Sequence, residues 1–218
     1  SPAMPSMWLS AAELEGLAEH LVAERGWVRA GAGSAVDQLR ALPVDELLTL
    51  TSVFARPAFG NDVLPESPAE ALRAGRFHRV PVLVGGTRDE ARLFTGMFFD
   101  GVGQPVTEER YGALLAESFG DAADEIAREY PVGAHPSPSV AWSTVLDDAA
   151  WARSVWDLGH ALAAHTPTYV YEFADRDAPA VVPFPEGFPP GAHHAAELPY
   201  QFDMGAPGPL SAEQWRLA

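Results

Sequence analysis

Two short apolar runs constrain the fold of this chain more than any other feature: VPVLV at residues 80–84 and TYVYEF at residues 168–173. The first is bounded by an arginine and a Gly-Gly pair, and both have the pattern of strands buried on two faces of a parallel sheet. Between them, apolar positions recur at helical spacing over residues 107–119 and 122–130, then along one long helix over 138–165 with a broad apolar stripe. Strand, helices and strand form a crossover, so the two strands are expected to be parallel in a larger α/β sheet. Two buried strands alone would leave rows of unpaired edge groups. The remaining strands are therefore expected from sequence outside this chain, which reads as helix-rich with about two core parallel strands.

The flanking segments are helical as well. Residues 10–25 carry apolar positions at helical spacing behind Ser10, with Glu13 three residues later completing a capping pair. Short helices are expected over 34–39 and 44–51, separated by Pro43, and over 67–74, opened by Pro68. At the other end Ser211 begins a capped helix, SAEQWRLA, that reaches Ala218 without a terminating signal.

With 47% apolar residues in 218, the chain has material for a globular core. A net charge of -16, with all fourteen cations arginine, repels phosphate backbones and argues against a nucleic-acid partner. The arginine bias, with abundant alanine and proline, suggests a GC-rich bacterial source. No apolar run is long enough for a membrane span and no signal-peptide pattern is visible, so a soluble protein is expected, cytoplasmic rather than secreted. Cysteine is absent, which fits either compartment and excludes disulfides and thiolate metal sites.

Two loops carry residues capable of chemistry. GGTRDEARLF, residues 85–94, sets Asp89 and Glu90 at the carboxyl end of the first strand, where ligands and catalytic groups of α/β sheets gather. Taken alone, the acid pair is equally a helix start that favours the dipole. After the second strand a proline-rich approach, residues 178–190, leads into GAHHAAELPYQF, residues 191–202, with His193 and His194. Imidazole serves catalysis, metal binding and core packing alike. His193, His194 and Glu197 have near-helical spacing and could converge on zinc, but they lack a third ligand anchored on the sheet, so no metal is expected. His78, His135, His160 and His165 fall in turns or on helix faces and are assigned structural roles. Asp147 and Asp148 interrupt the apolar stripe, as helix-face charges or as a buried hydrogen bond. Acid then histidine is the chain order of α/β hydrolases.

At this level of detail the chain resembles a known family. VPVLVGGTRDEARLF is similar to the strand-glycine-Asp-Glu segment of type B carboxylesterases, the cholinesterase and para-nitrobenzyl esterase group, and GAHHAAELPYQF to that family's Gly-x-x-His-x-x-Glu-Leu segment. FGNDVLPESPAEALRAGRF, STVLDDAAW and PTYVYEF extend the likeness over nearly the whole chain. The resemblance implies an α/β-hydrolase fold and hydrolysis of carboxylic esters through an acyl-serine, with no cofactor. It implies Glu90 as triad acid, His194 as triad base, His193 at a variable position and Glu197 as a supporting acid near the loop. Phe98 and Phe99, which follow the acid loop, are expected to line an acyl or alcohol pocket.

The family's Gly-x-Ser-x-Gly elbow and glycine-rich oxyanion loop are not found; the nearest stretch, GAGSAV at residues 31–36, lacks the final glycine and follows no strand. Residues 1–218 are thus expected to be the carboxyl-terminal portion of one esterase domain, inactive alone and partnered by the amino-terminal half that holds the nucleophile. The other reading is a non-catalytic, cholinesterase-like binding module, against which the presence of both Glu90 and His194 counts.

Overall fold

The computed structural model describes residues 8–29, 31–51, 56–204 and 210–218. They divide into two compact units, Ala3–His78 and Arg79–Ala218. Among the described residues no helix is long and apolar enough to cross a membrane.

In the first unit, helix α1 (Ala11–Arg25) starts at the expected capping box: Ser10 Oγ accepts the Glu13 N–H at 3.1 Å and Glu13 Oε2 accepts the Ser10 N–H at 2.7 Å. It ends at Gly26, whose left-handed conformation suits a residue without Cβ. Strand β1 (Leu9–Ser10) pairs in parallel with β2 (Ala58–Phe59). Helices α2 (Ala35–Arg40), α3 (Val44–Leu48) and α4 (Pro68–Arg73) stand where the cap and proline signals set them.

The second unit is built on strands β3 (Val82–Thr87) and β4 (Thr168–Phe173), parallel and in register from Val82↔Thr168 to Thr87↔Phe173. The expected crossover joins them through α5 (Ala91–Phe98), α6 (Glu108–Phe119), α7 (Ala123–Glu129), α8 (Pro138–Leu146) and α9 (Arg153–Ala163). Strand β3 starts later than its apolar run, past Pro81, which has no N–H to give a ladder. It also continues through Gly85 and Gly86, a pair that reads as a break in sequence. Glycine is required there: a Cβ on Gly85 would lie 2.2 Å from Tyr171 O on the neighbouring strand. The expected burial on both faces is not met among the described residues, since Leu83, Tyr169 and Val170 are exposed.

The single helix expected over 138–165 is interrupted. Between α8 and α9 lies a π-helical turn, Asp147–Ala152, coincident with the acid pair that breaks the apolar stripe. Asp147 faces inward there. The main core packs α6 against α8 through Tyr111, Leu114, Leu115, Trp142 and Val145, each such burial contributing roughly 1.5–3 kcal/mol. A second cluster, including Phe173, Ala192, Ala196 and Tyr200, seats the histidine loop beside the end of β4. The end segment forms only a short turn, Gln214–Arg216, with the expected Ser211 cap: its Oγ accepts the Gln214 N–H at 3.2 Å.

Two glycine substitutions should move stability in opposite directions. Gly85→Ala drives a methyl group into β4 backbone and is expected to cost about 1–3 kcal/mol in urea unfolding. Gly112→Ala, in α6 with nothing within 4 Å of the new Cβ, is expected to gain about 0.5–1 kcal/mol.

Candidate active site

The turn that leaves β3 places two adjacent carboxylates in different surroundings. Glu90 is 1% exposed. Its Oε1 accepts the Thr87 N–H at 3.0 Å, and its Oε2 lies 2.5 Å from His194 Nδ1. Gly86 leaves room for this arrangement, since a Cβ there would stand 3.2 Å from Glu90 Oε1.

Asp89 joins the turn to the histidine loop. Its N–H donates to Ala192 O at 3.0 Å as part of a parallel β-bridge between Asp89 and His193, and its Oδ2 accepts the Ala192 N–H at 2.9 Å. A buried carboxylate needs charge partners, and here there are two. Arg176 binds both oxygens, at 3.1 and 3.2 Å, and Arg92 Nη2 meets Oδ1 at 3.0 Å while its Nη1 donates to Pro189 O at 3.2 Å. Burial pulls the Arg92 guanidinium below its ordinary value, with Asp89 opposing. Gly191, in the left-handed region at φ 59°, passes so close that a Cβ would lie 2.5 Å from Asp89 Oδ2. Directly after His194, Ala195 holds φ 71°, a strained conformation for a residue with a Cβ, costing roughly 1–2 kcal/mol.

The two histidines differ in every respect that matters for chemistry. His193 is 0% exposed, its ring edge-on to Phe184 at 4.9 Å. Its Nε2 accepts the Val181 N–H at 3.4 Å, which leaves the proton on Nδ1 to donate to Gly191 O at 3.1 Å. Burial lowers its pKa, so the ring is neutral. Both nitrogens being engaged, it cannot join a metal centre. No group of three or more metal-ligating side chains occurs among the described residues. His194, by contrast, has its side chain 39% exposed, Nδ1 on Glu90 and its ring 5.2 Å from that of Phe94. Nε2 is the nitrogen left for chemistry.

Around His194 the aromatic residues fall into distinct settings. Phe94 stacks on Trp151 at 5.7 Å and on Phe98 at 6.5 Å. Phe98 is 64% exposed, whereas Phe99 packs against the α6–α8 core cluster. Trp151 comes from the π-helical turn, and no sequence signal singled it out. It lines a cleft of about 720 Å³ with Thr87, Arg88, Asp147, Tyr171 and Arg176. Glu197 is half-buried; its Oε2 has no hydrogen-bond partner among the described residues, and the loop is tied down by Asp89 instead.

Asp147 takes the buried role rather than the helix-face one. Its Oδ1 accepts the N–H of Ala91, the residue after Glu90, at 2.6 Å, and burial pushes its pKa up to about 8. Asp148 accepts from Tyr130 OH at 2.8 Å, and burial together with that bond pushes the phenol up to about 12.

Comparison with known proteins gives a consistent picture. The model of the Carboxylesterase family matches residues 1–214. The fumonisin B1 esterase of Sphingopyxis macrogoltabida is 32% identical over 157 residues, covering 71% of this chain and 26% of that protein. The para-nitrobenzyl esterase of Bacillus subtilis (strain 168) is 28% identical over 168 residues, 77% of this chain and 31% of its own. Among solved structures, a carboxylesterase of Geobacillus stearothermophilus aligns with a TM-score of 0.61 at 25% identity, over 89% of this chain and 39% of that one. A PNB esterase aligns with a TM-score of 0.55 at 24% identity, over 84% and 38%. These structures share the α/β-hydrolase fold. The chain spans about a third or less of the curated relatives it matches.

Gly191→Ala is expected to cost about 1–3 kcal/mol and to speed hydrogen exchange at the Ala192 amide, because the new methyl group displaces the Asp89 carboxylate. Asp147 gives a pH signature of known sign. Between about pH 4 and about 8 it is protonated in the folded chain and ionised in the unfolded one, so stability falls as pH rises through that window. In urea unfolding, Asp147→Asn should remove that slope and gain on the natural protein up to about pH 8.

Proposed function

This chain belongs to the carboxylesterase family, and from that premise we propose that it is the carboxyl-terminal portion of a serine esterase, contributing the acid Glu90 and the base His194 of its catalytic triad. The serine and the oxyanion-hole donors belong to a preceding segment, which also covers the exposed face of β3 and β4. Alone, this chain binds no acyl group and turns over no ester.

The observation that carries the reading is the contact between Glu90 Oε2 and His194 Nδ1. A serine hydroxyl becomes nucleophilic only when a base takes its proton as it attacks. With Nδ1–H donated to a buried carboxylate, the lone pair of His194 is on Nε2, the tautomer a general base requires. Glu90 cannot swing away readily, because its other oxygen holds the Thr87 N–H.

In the first half-reaction the serine oxygen adds to the ester carbonyl while its proton passes to His194 Nε2. The imidazolium is stabilised by Glu90, then protonates the departing alcohol as the tetrahedral intermediate collapses to acyl-serine. Water repeats the sequence, losing its proton to Nε2, and the acid product leaves with the serine restored. Phe94, Phe98 and Trp151 supply an apolar wall beside the base, suited to an uncharged part of the substrate.

The reaction class is hydrolysis of carboxylic esters, in keeping with the names of the relatives, among them an acylcarnitine hydrolase of Rattus norvegicus that is 29% identical over 180 residues. Turnover of para-nitrophenyl acetate by the complete protein tests it. His194→Ala should abolish hydrolysis, and Glu90→Gln should lower kcat by about ten-thousandfold. His193→Ala should destabilise the fold yet retain turnover per folded molecule. Hydrolysis that survives His194→Ala, or that the isolated chain performs at the rate of the complete protein, refutes the reading; a complete protein that hydrolyses no ester leaves a binding module in its place.

A further inference from the structure

Helix α5 begins at Ala91, immediately after Glu90, and its first N–H groups have no partners within the helix. A short polar residue at this boundary turns its own side chain onto the second or third of those groups. Glu90 makes no such bond. Its two oxygens point instead to Thr87 N–H and His194 Nδ1. The donors are satisfied from elsewhere: Arg92 N–H goes to Asp89 O at 3.1 Å, and Ala91 N–H, fully buried, goes to Asp147 Oδ1 at 2.6 Å. Asp147 is 6% exposed and reaches this point from the π-helical turn, where the chain between α8 and α9 widens.

We propose that Asp147 is a positioning residue for the proposed triad: by accepting the buried Ala91 N–H from a neighbouring helix it fixes the backbone directly after Glu90, and so keeps the Glu90 carboxylate on His194. The proposal rests on the triad reading of Glu90 and His194. Asp147 touches neither substrate nor reacting atoms and acts only through Ala91 and Glu90. Burial favours its neutral form, which accepts the Ala91 N–H without setting a second negative charge beside Glu90. Asparagine reproduces that neutral acceptor. Leucine has nearly the same shape and accepts nothing.

Asp147→Leu and Asp147→Asn in the complete protein separate positioning from plain stability. Three quantities are read for each: melting temperature, kcat and KM on para-nitrophenyl acetate, and the proton resonance of the His194 Nδ1–H in protein carrying ¹⁵N-labelled histidine. The leucine variant should melt within a few degrees of the natural protein, because removing the buried acid offsets the orphaned Ala91 N–H. It should nevertheless lose the deshielded Nδ1 proton and about ten- to a hundredfold in kcat, with KM within about twofold. The asparagine variant should keep both the signal and kcat. Tyr111→Phe, which removes the bond from Tyr111 OH to Tyr130 O in the α6–α8 core, controls for stability loss and should leave the His194 signal in place. Should the leucine variant not fold, Asp147→Ala takes its place with the same expectations.

An unchanged signal and kcat in the leucine variant overturns the positioning role while leaving the triad intact, and so does loss of both in the asparagine variant. Failure of the triad reading itself is seen separately, as hydrolysis that persists in His194→Ala.

Discussion

The second unit depends on a buried charge, the carboxylate of Asp89. One backbone N–H and two guanidinium groups converge on it, and through them the turn after β3, the loop after β4 and the proline-rich segment at Pro189 are held together. A carboxylate this deep is costly unless every oxygen is engaged, and removing a partner from such a group costs about 3–5 kcal/mol. Gly191 exists to let the loop backbone pass within reach, and the bridge it permits sets His193 opposite Asp89. Once His193 is fixed on the buried side, His194 is carried to the other, over Glu90.

Adjacent residues on each segment thus divide the work. Asp89 and His193 are the buried, structural members; Glu90 and His194 are the members whose contact leaves a ring nitrogen free. The parallel register of β3 and β4 brings the two segments out at one edge of the sheet, and the left-handed Ala195 turns the chain immediately after the histidine. Local strain at that residue is tolerated because the bridge on one side and the packing of Ala196 in the loop cluster on the other leave no alternative path.

Much of this was legible in the sequence, and the misses have physical reasons. The two apolar runs announced parallel strands because a crossover of helices is the connection parallel strands require, and the capping pair Ser10–Glu13 announced α1 because its chemistry is local. That an acid and a histidine meet was readable from their following the two strands of one sheet, but the choice of Glu90 and His194 came from the family resemblance. What sequence could not give was anything decided by a distant backbone group. The Gly85–Gly86 pair reads as a break, yet belongs to β3 because Tyr171 leaves no room for a side chain. The long helix reads as continuous, yet widens at Asp147, whose partner lies 56 residues away. Trp151 carried no signal, because its place beside Phe94 depends on that widening. The pocket expected from Phe98 and Phe99 together is divided, Phe98 standing in solvent beside Phe94 and Phe99 packing on the core, since successive residues of a helix do not share a face.

The tautomer of His194 tests most directly whether Glu90 prepares it as a base. Nitrogen-15 NMR of the natural protein near neutral pH distinguishes a protonated ring nitrogen from a bare one. A proton on Nδ1, strongly deshielded by Glu90, with Nε2 unprotonated, is the expected result. A proton resident on Nε2, or a ring exchanging freely between the two forms as in water, contradicts it.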